Sequence, residues 1–145
     1  MQLVEYYFNF QSHSGLLQPG HALYEWGSKY RQAMERDRNP RVGSMNTLAD
    51  LLRAAGFSQV QYQNCSLPIG EWSRNEKERE IGRHNLTNFD KMLDSFGTWA
   101  FRERLGMTME EVKVLNDRAR EEARNLRYKT YIPMTVAWAK KPGTF

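Results

Sequence analysis

The tripeptide Arg83-His84-Asn85 contains the residues of this sequence that are best suited to chemistry. A histidine titrates near neutral pH, so His84 can act as a general base, and a neighbouring arginine can stabilise negative charge on a substrate. The phenol of Tyr7 can donate a hydrogen bond to a carbonyl. The candidate catalytic residues are therefore His84, Arg83 and Tyr7. The alternative is structural, because Arg83, His84 and Asn85 can equally hold the turns of a helical region together.

Aromatic rings, a histidine and an amide supply the candidate substrate-binding residues, namely Tyr6, His13, Trp72, Asn85 and Trp99. Trp72 and Trp99 fall in or beside a predicted helical region and are candidates to line an apolar pocket, with plain packing as the alternative. Tyr6 either offers a second phenol or fills the edge of a sheet. His13 lies in a polar loop, where a solvated side chain is the competing interpretation.

The composition is that of an ordinary globular domain. The chain has 145 residues, with 40% hydrophobic and 26% charged side chains, which suits one domain with a modest core. Its net charge of +4 is spread over segments where acids and bases alternate, so solvated helix faces are expected. No apolar run approaches the roughly 18 residues that cross a bilayer, and the first residues lack the layout of a signal peptide. We expect neither nucleic acid nor a membrane as a partner.

The metal-ligating residue types do not form a site. His13, His21 and His84 lack the spacing of metal ligands, and Cys65 is the single cysteine. One cysteine excludes an internal disulfide and suits a reducing compartment. We expect a buried structural thiol, no bound metal, and a cytoplasmic location with the nucleus as the alternative.

Hydrophobic periodicity and turn residues predict the order strand, helix, helix, strand, helical region, helix, strand. The predicted strands span 3–10, 57–65 and 134–138, the helices 21–36, 47–56 and 108–126, and the helical region about 73–105. Three strands cannot form a doubly wound sheet with its own switch point. Trp26 and Trp138 lie on the apolar faces of their elements and are expected in the core.

Local signals predict the boundaries of these elements. Capping-box patterns that begin at Ser73 and Thr108 predict two helix starts. Pro133 is expected to mark the start of the last strand, since proline cannot donate to a central ladder. The predicted chain breaks are at Asn39-Pro40, Gly43-Ser44, Gly82 and Gly97.

Two short motifs are the most specific features of the chain, Leu67-Pro-Ile-Gly-Glu-Trp72 and Ile81-Gly-Arg-His-Asn-Leu86. They resemble the C-terminal half of fungal class I S-adenosylmethionine-dependent methyltransferases, the broad group that contains LaeA-like regulators and many enzymes of secondary metabolism. The resemblance runs nearly from end to end. Further segments that carry it lie at 3–7, 15–26, 48–62, 105–112 and 131–142.

The resemblance implies an α/β fold, a truncated class I methyltransferase fold of the Rossmann-like type, in a single domain over residues 1–145. The three strands would match the fifth, sixth and seventh of the family. They would form a small mixed three-stranded sheet of order 5-7-6 with the last strand antiparallel. Flanking helices and a helical insert at about 73–105, similar to the family's substrate lid, would complete the domain.

The resemblance also bears on the cofactor. The family's half for binding S-adenosylmethionine would precede Met1, and none of the ten glycines forms a glycine-rich nucleotide loop. Tyr7 and Phe8 stand where family members carry a glutamine followed by an acid. We therefore expect no cofactor bound by this chain, with S-adenosylmethionine present only if a partner supplies the other half. Autonomous methyl transfer is not expected.

The missing fourth strand predicts a partner. Without it, the edge of the strand at 3–10 would expose unpaired backbone groups beside aromatic side chains. We expect a homodimer or a heteromer that forms through this edge.

The leading hypothesis is a methyltransferase-like protein of fungal secondary metabolism that acts as an oligomer or subunit. It would bind an apolar metabolite in an aromatic pocket. One alternative is a cyclase or isomerase that works without S-adenosylmethionine and uses Tyr7, Arg83 and His84 on a polyketide or terpenoid carbonyl. Another is a gene-model fragment of a full methyltransferase.

Overall fold

A computed structural model of the chain describes residues 1–36 and 47–142. Its elements, in chain order, are β1 (Gln2–Tyr6), β2 (Gln11–Ser12), α1 (Ala22–Arg36), α2 (Thr47–Ala54), β3 (Ser58–Pro68), α3 (Glu76–Met92), a π-helical segment (Leu93–Gly97), α4 (Thr98–Leu105), α5 (Met109–Arg124), a 3-10 turn (Leu126–Tyr128) and β4 (Thr130–Lys140). The predicted α/β class is confirmed. The chain breaks predicted at Asn39-Pro40 and Gly43-Ser44 lie outside the described residues.

The last strand, β4, forms the centre of the sheet. β1 and β2 pair with one of its edges and β3 pairs with the other, and all three run antiparallel to it. The register places Val4 opposite Val136 on one side and Gln63 opposite the same residue on the other. The predicted sheet of three strands is corrected in one detail, because a short fourth strand, β2, is also present. All paired strands among the described residues are antiparallel, as a central antiparallel last strand requires.

The first strand is shorter than predicted. The strand expected at 3–10 ends at Tyr6, and pairing resumes only at β2. Pro133 of β4 lies opposite this gap, where it has no N–H to donate, although its carbonyl still accepts the Tyr7 N–H at 2.9 Å. The chain between β1 and β2 instead turns Phe8 and Phe10 towards the larger core.

Pro133 lies inside β4, which begins at Thr130, so the prediction that it marks the start of the strand is wrong. The N and C=O groups of one strand residue point towards the same neighbour. Pro133 faces the interruption between β1 and β2. No strand pairs with β4 there, so the missing N–H of proline costs the sheet no hydrogen bond. The first strand is therefore interrupted at the point where Pro133 has no N–H to donate.

The helical region is more continuous than predicted. α3 passes through Gly82 without a break, and the geometry changes only at the π-helical segment that ends at Gly97. The cap of α3 is Asn75, whose side-chain oxygen accepts an N–H of the first turn at 3.1 Å, so the predicted capping box at Ser73 is wrong. The capping box that begins at Thr108 is confirmed.

The larger core is built around Trp26, which is fully buried as predicted. Its ring contacts other aromatic rings at centroid distances of 5.3 to 6.2 Å, those of Phe8, Phe10, Tyr30 and Phe101. Tilted and edge-to-face arrangements dominate this cluster, as expected from the quadrupoles of the rings. The cluster holds α1 against α4 and the end of the first strand.

The two faces of the sheet have different neighbours. α2 covers one face, where Leu48 and Leu52 pack against Ala137 and Ala139. Successive strand residues point to opposite faces, so Trp138 points away from α2. It is 38% exposed, and the prediction that it packs in the core is therefore wrong.

Candidate functional site

The two motifs that carry the family resemblance pack directly against each other. The Gly70 N–H donates to the Gly82 carbonyl at 2.9 Å. A Cβ atom on Gly82 would lie only 2.0 Å from the Gly70 carbonyl oxygen, so any side chain at this position of α3 would overlap the backbone. Gly70 itself has a φ of +85°, which favours glycine. The glycines of both motifs therefore allow α3 to approach the end of β3.

Side chains of the same motifs reinforce this contact. Arg83 donates from Nε and Nη2 to a single oxygen of Glu71, at 2.9 and 2.6 Å. This pairing lowers the pKa of the Glu71 carboxyl. Asn85 donates from Nδ2 to the Pro68 carbonyl at 2.8 Å. These contacts support the interpretation that Arg83 and Asn85 hold the helical region in place.

An open groove of about 540 Å³ lies beside this contact, between the sheet and α3. Its volume falls within the range of small-molecule sites. β1 and the residues after it, the end of β3, and β4 form one wall, and α3 with the π-helical segment forms the other. The lining residues are Tyr6, Phe8, Leu67, Ile81, His84, Asn85, Asn88, Phe89, Lys91, Met92, Ser95, Phe96 and Ile132.

The helical wall of the groove is amphipathic. Its polar residues recur at helical spacing along the solvent rim and are exposed: His84, Asn88, Lys91 and Ser95. Towards the sheet the same wall is apolar, with Phe89 almost completely buried and Met92 half-buried. The Ser95 hydroxyl donates to the Lys91 carbonyl at 2.8 Å, so it is occupied within the helix. The groove thus combines an apolar floor with one polar edge.

The groove brings together three of the predicted site residues, Tyr6, His84 and Asn85. Tyr6 comes from β1, whereas His84 and Asn85 come from the first half of α3. Arg83 does not line the groove, because its guanidinium is turned towards Glu71. His84 is thus the one predicted catalytic residue in the groove.

Tyr7 lies on the opposite face of the sheet from Tyr6. Its side chain is buried and forms a hydrogen bond with that of Thr135, and burial raises the pKa of its phenol. The Thr135 hydroxyl in turn donates to Asn64 at 2.7 Å. The structure therefore does not bring Tyr7, Arg83 and His84 around one ligand, as a cyclase built on these three residues would require.

The remaining candidates form separate surface clusters. The His13 ring stacks on Tyr131 with a centroid distance of 4.3 Å and lies 5.3 Å from the ring of Trp72. Trp72 also donates from Nε1 to the Thr130 carbonyl at 2.8 Å. Trp99 is largely exposed, and the Arg104 guanidinium lies 5.0 Å above its ring. None of these rings lines the groove.

Sequence reasoning missed several groove residues, among them Asn88, Lys91, Ser95 and Phe96. The signal that could have identified them is helical periodicity. Positions 84, 88, 91 and 95 follow one stripe of a helix, so the assignment of His84 to a site already implies its neighbours on that stripe.

The loop between β2 and α1 contains two glycines but does not form a free nucleotide cradle of the kind that would hold S-adenosylmethionine. A nucleotide cradle places glycines between a strand and the free N-terminus of a helix. α1 follows β2 after this loop. The N–H groups of its first two residues, Ala22 and Leu23, both donate to the Glu122 carboxylate at 2.8 Å and are therefore not available to a ligand. Gly27 and Gly82 lie inside helices and are packed against backbone.

The described residues also contain no set of three histidine, cysteine or acidic side chains placed to hold a metal ion. No helix in this part of the chain is both long and apolar enough to cross a membrane.

Comparison with known proteins identifies relatives of this chain. It is 32% identical, over 84% of its length, to the "secondary metabolism regulator laeA" of Fusarium oxysporum f. sp. lycopersici. It is 25% identical, over 85% of its length, to the protein of the same name from Aspergillus fumigatus. Over 63% of its length it is 33% identical to the "methyltransferase pytC" of Aspergillus terreus. No protein-family model matches the chain, and no solved structure matches it significantly.

The alignments cover only part of these relatives. The chain spans 39% of the Fusarium protein, 33% of the Aspergillus fumigatus protein and 28% of the methyltransferase. The similarity confirms the resemblance drawn from the two motifs. Over most of its length this chain is a homologue of LaeA-like, methyltransferase-related proteins of fungal secondary metabolism, consistent with their C-terminal region.

Proposed function

We propose that this chain forms the substrate-side part of a methyltransferase-like protein and that its groove binds an apolar small molecule. The observation that carries the proposal is the origin of the groove. Its helical wall is held in place by the contact between Gly70 and Gly82, which joins the two motifs shared with the family. The residues that carry the resemblance therefore position the cavity.

The strand pairing supports the family assignment of the sheet. β4 lies between β1 and β3 and runs antiparallel to both. This is the arrangement that the resemblance implies for the seventh strand between the fifth and the sixth. On this assignment α3, the π-helical segment and α4 correspond to the substrate lid. On the same assignment, donor binding would fall to residues outside this substrate-side part.

Binding of N-phenyl-1-naphthylamine, a neutral and apolar fluorescent probe, tests the proposed function. We expect its emission to rise on titration with the protein. Phe96 lines the groove, so Phe96→Ala should weaken binding by about threefold to tenfold through lost apolar contact. Trp99→Ala is the matched control, because Trp99 is a similarly exposed aromatic side chain outside the groove. Absence of binding, or equal effects of the two substitutions, would contradict the proposal.

We further propose that a second copy of the chain covers the open face of the sheet. Val4 and Trp138 are 44% and 38% exposed on this face, and β1 pairs only with β4 among the described strands. The neighbouring side chains on this face, those of Gln2, Gln61 and Gln63, carry no charge. Val4 and Trp138 would supply apolar contact between two copies, and the glutamines around them add no like-charge repulsion. The charged Lys140 lies at the end of this face, two residues beyond Trp138.

Light scattering after size-exclusion chromatography tests the dimer. At micromolar concentration we expect a species of twice the chain mass. Val4→Glu should convert it to a monomer, because each copy would have to bury an unpaired carboxylate in the interface. Val114→Glu, at a valine that is 53% exposed on α5, should leave the dimer intact. A wild-type monomer would contradict the proposal.

A further inference from the structure

We propose that the groove selects ligands that carry one negatively charged group on an apolar body, and that Lys91 provides this selectivity. The inference rests on the proposed function and narrows it to a substrate class, that of aromatic or polycyclic weak acids in their anionic form. Neutral molecules would bind through the apolar floor alone. Cationic molecules would be disfavoured.

The charge of the lining carries the inference. Lys91 is the one lining side chain with a permanent charge. No aspartate or glutamate lines the groove. The remaining polar groups of the lining are the His84 imidazole and neutral amides and hydroxyls. Lys91 therefore places the one permanent charge of the lining, a positive one, at the polar rim.

Asp90 and Asp94, the acidic residues beside Lys91 on the helical wall, point away from the groove. Asp90 accepts from Arg120 at 3.2 Å and from Arg124 at 2.6 Å, both of which belong to α5. Asp94 accepts from Arg120 at 2.8 Å. These carboxylates are neutralised on the α5 side of the helix. Within the described residues, Lys91 forms no ion pair and its ammonium group remains available to a ligand.

The position of Lys91 relative to the floor defines the shape of the ligand. Tyr6 and Ile132 from the sheet, and Phe8 between β1 and β2, line the groove with the half-buried Met92. Lys91 and Asn88 lie at the exposed rim. A flat apolar body on the floor would place an anionic substituent at the rim. There an amide N–H from Asn88 and the ammonium of Lys91 are both donors. A ligand with an apolar body and one anionic substituent would therefore complement both the floor and the rim.

The expected effect is moderate because the rim is exposed to solvent. An ion pair in such a position contributes little compared with a buried one, about a threefold to fivefold change in affinity. The preference should also weaken as salt is raised, because screening acts on exposed charges. A large effect would require burial that this open groove does not provide.

Two dyes that differ by one charged group provide the test. 8-Anilinonaphthalene-1-sulfonate is N-phenyl-1-naphthylamine with an added sulfonate. We expect Lys91→Met to weaken binding of the sulfonate dye by about threefold to fivefold and Lys91→Glu to weaken it further. Neither change should alter the affinity for the neutral dye. Lys77→Met is the matched control, since Lys77 is exposed on the same helix but does not line the groove.

The outcomes separate this inference from the proposed function. If the wild-type protein binds neither dye, the proposed function fails and the inference fails with it. If Phe96→Ala weakens the neutral dye but Lys91→Met leaves the sulfonate dye unchanged, the groove stands and the charge selectivity is wrong. Equal losses for both dyes in Lys91→Met would also overturn the inference. Circular dichroism of each variant, with Lys91→Gln as a second neutral variant, verifies that the fold is retained.

Discussion

Replacing Gly82 by alanine should lower the free energy of unfolding by about 3 kcal/mol, the largest effect we expect from a single added methyl group. The new Cβ would lie 2.0 Å from the Gly70 carbonyl oxygen and 2.8 Å from its carbonyl carbon. Both neighbours are backbone atoms, which cannot rotate away as a flexible side chain can. Alanine favours a helix over glycine by about 1 kcal/mol, so the overlap must exceed that gain for the prediction to hold.

The overlap can be relieved only if α3 moves away from the end of β3. That movement would break the hydrogen bond from Gly70 to Gly82 and separate Asn85 from the Pro68 carbonyl. It would also widen the groove, because α3 forms one of its walls. We therefore expect Gly82→Ala to weaken binding of N-phenyl-1-naphthylamine as well as stability.

Urea denaturation followed by circular dichroism measures the effect on stability. Thr87→Ala is the control, since Thr87 is exposed on the same helix and its replacement should change stability by about 0.5 kcal/mol or less. A Gly82→Ala protein as stable as this control would show that α3 does not approach Gly70 as closely as described.

The second large effect is expected at Asn116, whose replacement by alanine should lower the free energy of unfolding by about 3 kcal/mol. Asn116 is 3% exposed and bridges two buried groups. Its Oδ1 accepts from the Trp26 indole N–H at 3.0 Å, and its Nδ2 donates to the Leu93 carbonyl at 2.8 Å. Without the amide, the Trp26 indole donor would lose its partner inside the core and the Leu93 carbonyl would lose one of its donors. A buried group left without a partner costs about 1 to 3 kcal/mol.

This amide joins three parts of the fold. Trp26 belongs to α1, Asn116 to α5, and Leu93 begins the π-helical segment beside the groove. Thermal or urea unfolding compares Asn116→Ala with Asn88→Ala, an exposed asparagine whose loss should be nearly neutral. In a Trp26→Phe background the substitution should cost roughly 1 kcal/mol less, because no indole donor is left unpaired. An unchanged cost in that background would contradict the bridging role.

Local sequence patterns were sufficient for most of the elements. The helix stripe of α5 and its capping box at Thr108 depend on residues three or four positions apart, so the sequence displays them directly. The break predicted at Gly82 failed because a glycine lowers helix propensity only modestly, whereas contact with Gly70 stabilises the continuous helix. The strand predicted at 3–10 failed for a similar reason, since its length depends on Pro133 in a distant strand.

The candidate site was predicted only in part. His84 and Asn85 were identified through a motif, and Tyr6 through its position on the first strand, and all three line the groove. Trp72, Trp99 and His13 were chosen by residue type, and residue type does not determine which surface a ring faces. Arg83 was assigned chemistry as the neighbour of His84. Its partner Glu71 lies twelve positions away, too far for a local pattern to reveal the pair.

The sequence by itself determined the class of the fold, the family motifs, and the helical spacing that aligns His84 with Lys91. These properties depend on residue identity and on short-range periodicity. Tertiary structure alone decided that the two motifs meet at Gly70 and Gly82, and that Glu122 caps α1 from one hundred positions away. It also decided that Asp90 and Asp94 turn to α5 and leave Lys91 facing the groove. Such contacts join residues that are distant along the chain, and only packing of the whole domain brings them together.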